Sequence, residues 1–142
     1  MSRKWYRKNN TKLNNKTITV DGIEFQSIKE SQRYSDLKVL ERAGEISNLE
    51  LQKKYELIPA QYETVETGEY YKVGPKKGQP KTKQICVEQS LVYVADFVYQ
   101  ENGQTVVEDV KGYRDPSSAP YAKFVLKRKM MLWVHGIKIK EV

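Results

Sequence analysis

From Thr17 onward the chain is a series of short runs in which apolar and polar residues alternate, broken twice by apolar residues at helical spacing. Thr17 to Phe25 alternates about Asp21-Gly22, a two-residue turn signal, which predicts a hairpin burying Ile18, Val20, Ile23 and Phe25. Ser27 with Glu30 three residues later has the capping-box pattern. Leu37, Leu40 and Ala43 continue at helical spacing until Gly44, so a helix is expected over residues 28 to 43. Between Ile46 and Leu57 the apolar positions Leu49, Leu51, Tyr55 and Leu57 keep a strand-like alternation that ends before Pro59; a shorter strand near Tyr62 to Val65 is expected to pair with it. Residues 66 to 83 lose the pattern. They mix Gly68, Gly74, Gly78, Pro75 and Pro80 with Lys72, Lys76, Lys77, Lys81 and Lys83, and read as a mobile basic loop. Ile85 to Tyr99 and Thr105 to Lys111 are β-rich runs on either side of Asn102-Gly103, Tyr121 to Val134 is a basic helix with an apolar face, and Ile137 to Val142 is a last short strand.

Composition narrows the class. At 142 residues, with 39% hydrophobic and 30% charged, the chain suits one compact α/β (α+β) domain with a modest core. No stretch approaches the roughly 18 consecutive apolar residues of a membrane span, and the N-terminus lacks the apolar block of a signal peptide. A protein with no membrane partner in a cytoplasmic, intracellular setting is therefore expected. One cysteine, Cys86, and one histidine, His135, exclude an internal disulfide and a Cys/His zinc site, so hydrolytic chemistry would need carboxylates and a hard metal.

The formal net charge is +7, and it is unevenly placed: Arg3, Lys4, Arg7, Lys8, Lys12 and Lys16 all precede the first acidic residue, Asp21. Residues 1 to 16 form a basic arm, in which Trp5 and Tyr6 could lie on bases or sugars, ahead of a domain over residues 17 to 142. A polyanionic partner is the natural inference, although charge alone does not separate a nucleic-acid grip from a solubilising tail.

Chemistry enters with the Asn102-Gly103 turn. If these are the two central residues of a type I′ hairpin, Tyr99 faces Val106, Val98 faces Val107, and Asp96 lies opposite Asp109. Alternation then sets Asp109 and Lys111 on the face of Asp96 and turns Glu108 to the other side, beside Phe97. Facing carboxylates in a largely apolar sheet destabilise it unless a cation compensates, and Mg²⁺ is suited because it takes one or two carboxylates, keeps several waters and can also bind phosphate. Lys111 beside such a metal could orient or help deprotonate a water and offset charge on a phosphate. A salt bridge between Asp96 and Lys111 on an exposed face is the plain alternative. Glu30 lies on a helix face that otherwise looks inward and could be a third carboxylate, while the capping box explains it equally well.

The stretches FQSIKESQRYSDLKVLERAGEISNLELQ, YVADFVY, VVEDVKG and LKRKMML, followed by GIKIKEV, resemble in content and order a family of small phage proteins long labelled a domain of unknown function (DUF1064-like). That family is assigned by motif to the PD-(D/E)XK nuclease superfamily, and the resemblance covers roughly residues 17 to 142. It implies a restriction-endonuclease-like fold, a mixed central sheet flanked by helices. It also implies a catalytic set of a helical Glu, a strand Asp and an acidic-x-Lys on the next strand, which falls on Glu30, Asp96, Asp109 and Lys111. Asp109 stands where many members of the superfamily carry Glu. By the same resemblance the chain is expected to be a Mg²⁺- or Mn²⁺-dependent endodeoxyribonuclease in a phage-infected bacterium, acting on branched, recombination or replication DNA like junction-resolving and transposition endonucleases. Asp96 and Asp109 would hold the metal, with Glu30 assisting.

Further cations point to DNA as partner. Lys123 and Lys127 lie four apart on the last helix, with Arg128 and Lys129 beside them; Arg114 lies in the loop leaving the acidic-x-Lys strand; Arg3, Lys4, Arg7, Lys76 and Lys77 belong to the basic arm and loop. A symmetric junction substrate would favour a homodimer. The rival reading is a non-catalytic DNA-binding accessory protein that keeps the nuclease fold; an RNA-binding module has no matching motif.

Overall fold

The computed structural model describes residues 17–112 and 114–142. The basic arm, with Arg3, Lys4 and Arg7, lies outside the described residues. The first hairpin forms as expected: β1 (Ile18–Val20) pairs with β2 (Ile23–Phe25) across Asp21 and Gly22, whose φ angles of 51° and 77° are the two positive values a type I′ turn requires. Helix α1 (Ile28–Arg42) starts on Ser27, whose hydroxyl accepts from the Glu30 N–H, and stops before Gly44, left-handed at φ 76°.

Six strands and a helix follow: β3 (Ser47–Ile58), β4 (Gln61–Tyr70), β5 (Pro80–Glu88), β6 (Leu91–Glu101), β7 (Gln104–Asp109), α2 (Ala119–His135) and β8 (Lys140–Glu141). The central sheet has the order β3-β6-β7-β8, with β8 parallel to β7 and the other pairs antiparallel. The mixed sheet flanked by two helices expected from the sequence is present. Two expectations change. The strand around Tyr62 to Val65 pairs with β5 and not with β3, and strands β4 and β5 run into the segment read as a loop, leaving only residues 71–79 as the turn between them. The β-branched residues Thr64, Val65, Thr82 and Ile85 favour extended backbone and pair across the two strands despite the glycines and prolines between them.

The helices cover opposite faces of the sheet. Phe25, Tyr34, Leu37, Ile46, Phe97 and Tyr99 form a core with α1. Leu57, Tyr93, Val98, Val107, Phe124 and Met131 form a second core with α2. On β3, Leu49 and Leu51 pack with the α1 core, whereas Tyr55 and Leu57 pack with the α2 core. On β6, Tyr93 and Ala95 belong to the α2 core and Phe97 and Tyr99 to the α1 core. Strict alternation would hold each set on one side. Both strands therefore change sides, and they do so where Gln52 and Asp96 drop out of the run of pairs from Glu50/Val98 to Glu56/Val92, Gln52 with a left-handed φ of 52°. Residues beyond the switch keep their spacing and reverse their facing.

One buried ion pair ties α1 to β7. Glu108 is 0% exposed and accepts from Arg33 through Nε at 2.8 Å and Nη2 at 2.5 Å, with the Tyr99 hydroxyl at 2.6 Å and Lys140 Nζ at 3.6 Å. Burial pushes the Glu108 carboxyl up, but its bonds to Arg33 and Tyr99 outweigh that and hold it below the ordinary value; Arg33 is raised in turn by the same bond. Removing one partner of such a pair costs about 3–5 kcal/mol where the other is left buried and charged. Arg33→Met should fall in that range, Glu108→Leu should cost less because Arg33 can reach water, and the double variant should cost much less than the sum, as read from urea denaturation.

Candidate active site

Asp96 sits at the point where the sheet changes sides. Its Oδ2 accepts from the Val110 N–H at 2.7 Å and its Oδ1 from Gln52 Nε2 at 3.3 Å. Burial, followed by the nearby charges of Asp109 and Glu30, raises the carboxyl to about 6 against the opposing bond from Val110. The side chain lines a cleft on the α1 side together with Phe25, Glu30, Leu51 and Gln52. Glu30 has two attachments there: its N–H caps onto Ser27, and its Oε1 accepts from the Ser27 hydroxyl at 3.3 Å. The cap and the cleft position thus coexist in one residue.

Asp109 faces the α2 side. Its Oδ2 accepts from the Tyr93 hydroxyl at 2.8 Å, and its Oδ1 pairs with Lys111 Nζ at 2.6 Å. Burial, reinforced by Asp109, pushes the Tyr93 phenol far above its ordinary value, so it remains a donor. Lys111 Nζ also lies 3.7 Å from the centre of the Phe124 ring, a cation–π contact that fixes the ammonium between the carboxylate and α2. The backbone around it is held from both sides: Lys111 N–H donates to Val142 O at 3.0 Å, Val142 N–H to Asp109 O at 2.9 Å, and Lys29 Nζ to Lys111 O at 2.6 Å. Lys123, Lys127 and Pro120 from α2 complete this second cleft with Tyr93, Asp109 and Lys111.

The expected pairings Tyr99/Val106 and Val98/Val107 are present, and Glu108 pairs with Phe97 on the face opposite Asp109, as alternation required. The facing Asp96/Asp109 pair is not: the ladder stops at Phe97/Glu108, and the next step turns the Asp96 carboxylate onto the Val110 N–H. The two acids therefore open into adjoining clefts on opposite sides of one strand junction, joined by that bond. Among the described residues no three carboxylate, histidine or cysteine side chains lie close enough to cage a metal.

The structure brings Lys123 and Lys127, which the sequence offered only as cations of the last helix, to the cleft of Lys111. It places Lys76 and Lys77 at the β4–β5 turn and leaves Arg114 exposed in the loop after β7. Arg128 pairs with Glu141 at 3.1 Å, so it has the acidic partner that local sequence did not show. Sequence reasoning missed Gln52, Tyr93 and Lys29. Lys29 and Tyr93 adjoin recognised motifs and were within reach; nothing in the pattern marks Gln52, because its role depends on a left-handed backbone that only tertiary contacts impose.

The donor set suits a hard divalent cation held by one or two carboxylates and several waters, not a closed protein cage. The observation that supports such a fit is Asp96 itself: a carboxylate fixed by two hydrogen bonds, yet disfavoured in its charged form by burial and two neighbouring acids.

The profile of the family described as "Protein of unknown function (DUF1064)" matches residues 10–137. Neither the curated proteins nor the solved structures contain a match. Among the described residues no helix is long and apolar enough to cross a membrane.

The folded-state value of Asp96, about 6, lies above that of an unfolded aspartate near 3.9, so the folded state binds the proton more tightly. Asp96 therefore subtracts stability progressively as pH rises from about 4 to about 6, and by a constant amount above that. In metal-free buffer Asp96→Asn should be more stable than the parent at pH 7.5, by on the order of 1–2 kcal/mol given that water reaches the carboxylate. The gain should vanish by pH 4, as thermal or urea unfolding at both pH values will show.

Proposed function

The chain belongs to that family, and from its site we propose that it is a divalent-metal-dependent endodeoxyribonuclease of the PD-(D/E)XK type. The observation that carries the reading is the junction of β6 and β7. Asp109 and Lys111 pair there on the α2 side, with Lys123 and Lys127 lining the same cleft, and Asp96 adjoins them from the α1 side through its bond to the Val110 N–H. Carboxylates to hold a hard cation, an ammonium beside them and further cations a helical turn away are what phosphodiester hydrolysis needs.

Asp96 and Asp109 would hold Mg²⁺ or Mn²⁺, with Glu30 acting through water from the α1 cleft. Lewis-acid polarisation of the phosphodiester is the chemistry a bound cation supplies. Lys111 positions the attacking water and offsets charge growing on the phosphate; Phe124 on one side and Asp109 on the other limit where its ammonium can go. Tyr93 keeps one oxygen of Asp109 oriented through a hydroxyl that stays protonated. Lys123 and Lys127 bind flanking phosphates. By resemblance the substrates are branched DNAs of phage recombination or replication, and the fold belongs with the restriction endonucleases.

A second reading has one specific observation in its favour: both oxygens of Asp109 are already committed, to Tyr93 and to Lys111, which suits a non-catalytic DNA-binding protein that keeps the fold. The two readings part in one experiment. Pure protein is incubated with linear, flapped and four-way-junction DNA in Mg²⁺, Mn²⁺ or EDTA, beside Asp96→Ala and Lys111→Ala. The nuclease reading expects metal-dependent cutting that falls at least 100-fold in each variant, in line with losing a group that stabilises transition-state charge. Metal-independent cutting, or undiminished cutting by both variants, would sink it, and tight binding without any cutting would establish the accessory protein.

A further inference from the structure

Strands β4 and β5 form a two-stranded sheet of their own that joins no other strand. Nearly every residue of both strands is exposed, so the ribbon offers both faces to solvent and buries no core. A two-stranded ribbon in that condition is marginally stable by itself in water, and one carried by a folded domain is a contact element.

Its charge is sorted along its length. Glu63, Glu66 and Glu69 lie on β4 and Glu88 ends β5, whereas the turn end, residues 70–80, holds no acidic residue. Lys72, Lys76 and Lys77 fall within that acid-free end and Lys81 borders it; among the described residues only Lys81 of these four has a carboxylate partner, Glu69 at 3.9 Å across the strands. The turn that carries them is closed by its own backbone: Tyr71 N–H donates to Gln79 O at 3.0 Å, Gly78 N–H to Tyr71 O at 2.9 Å and Gln79 N–H to Lys76 O at 2.9 Å. Lys76 and Lys81 then gather over the Tyr71 ring at 5.8 and 5.6 Å. The cations are held together before any partner arrives, which lowers the ordering cost of binding.

We propose that the distal half of this ribbon grips the phosphate backbone of duplex DNA at a distance from the Asp96–Lys111 junction, which makes a second stretch of duplex part of the substrate. The inference rests on the DNA reading above and deepens it. Ten residues of strand span about 30 Å, close to the roughly 34 Å of one duplex turn, and a β-ribbon fits a DNA groove. The carboxylates of β4 and Glu88 disfavour phosphates along the strands and direct contact to the turn.

The test uses the full chain with Lys72, Lys76, Lys77 and Lys81 all replaced by Gln. Anisotropy of a labelled 30-base-pair duplex is followed in EDTA, so that cutting plays no part, across 50 to 200 mM salt. The parent should bind, and the variant should lose roughly 100-fold or more in affinity at 100 mM salt. Its log–log salt slope should be shallower by about 3–4, the value for four lost phosphate contacts. Its thermal unfolding should match the parent, because the ribbon pairs with nothing in the main sheet. Unchanged affinity and slope would overturn the proposal. So would a loss confined to duplex RNA, or a loss that tracks only dissociation of a dimer in sedimentation. The two readings fail separately: a variant that binds and cuts like the parent removes the ribbon and leaves the nuclease, while ribbon-dependent binding by a protein that never cuts removes the nuclease and leaves the ribbon.

Discussion

The arrangement of the candidate site depends on the buried Glu108 carboxylate. With Arg33 on two of its bonds and Tyr99 on a third, Glu108 can face only α1. Neighbours on a strand point to opposite sides, so Val107 and Asp109 must face α2. The ion pair thereby selects which carboxylate of the Glu108-Asp109 pair reaches Lys111, Tyr93 and the lysines of α2. It also locks α1 to the central sheet, and α1 carries Glu30 and Lys29. Desolvation makes such a pair a weak source of net stability but a strong constraint on orientation, since any arrangement that separates the partners leaves a charge buried.

The second constraint is the change of sides at Gln52 and Asp96. A sheet that buried one stripe on each strand would need its two helices to cover each strand's whole length. Here Leu49, Leu51, Phe97 and Tyr99 turn to α1, Tyr55, Leu57, Tyr93 and Ala95 turn to α2, and the crossover falls at Gln52 and Asp96, which are left out of the β3–β6 pairs. The β6–β7 ladder ends at Phe97 and Glu108, which leaves the Val110 N–H to Asp96, and that bond links the clefts on the two sides. A left-handed glutamine and a carboxylate raised to about 6 are both unfavourable to the fold, and they lie side by side. Strain and disfavoured charge thus meet at one place, offset by well-packed cores on either side.

The positive charge is organised by the same architecture. Arg33 and Arg128 are consumed by Glu108 and Glu141, where they fasten helices to strands. Lys123 and Lys127 remain over the α2 cleft, and the ribbon lysines collect at the far end of a separate element. Two cationic surfaces of different kinds result, one beside the carboxylates and one on the turn of a separate two-stranded sheet.

The sequence by itself determined what is local. Asp21-Gly22 and Asn102-Gly103 specify type I′ turns because both positions need positive φ; Ser27 and Gly44 bound α1; and the second turn sets the register that separates Glu108 from Asp109. The cationic face of α2 was legible too, from helical spacing, though not its place beside Lys111. Tertiary structure decided the rest. The partners of Glu108 and Arg128 lie 75 and 13 residues away in the chain, residues 66–83 of the ribbon β4–β5 looked like a loop because its strands bury nothing, and Asp96 leaves the face of Asp109 because two strands reverse their sides together. Periodicity records only which residues of one strand are apolar. Which layer covers each half of that strand is settled by where two distant helices pack, and that choice places Asp96 between them.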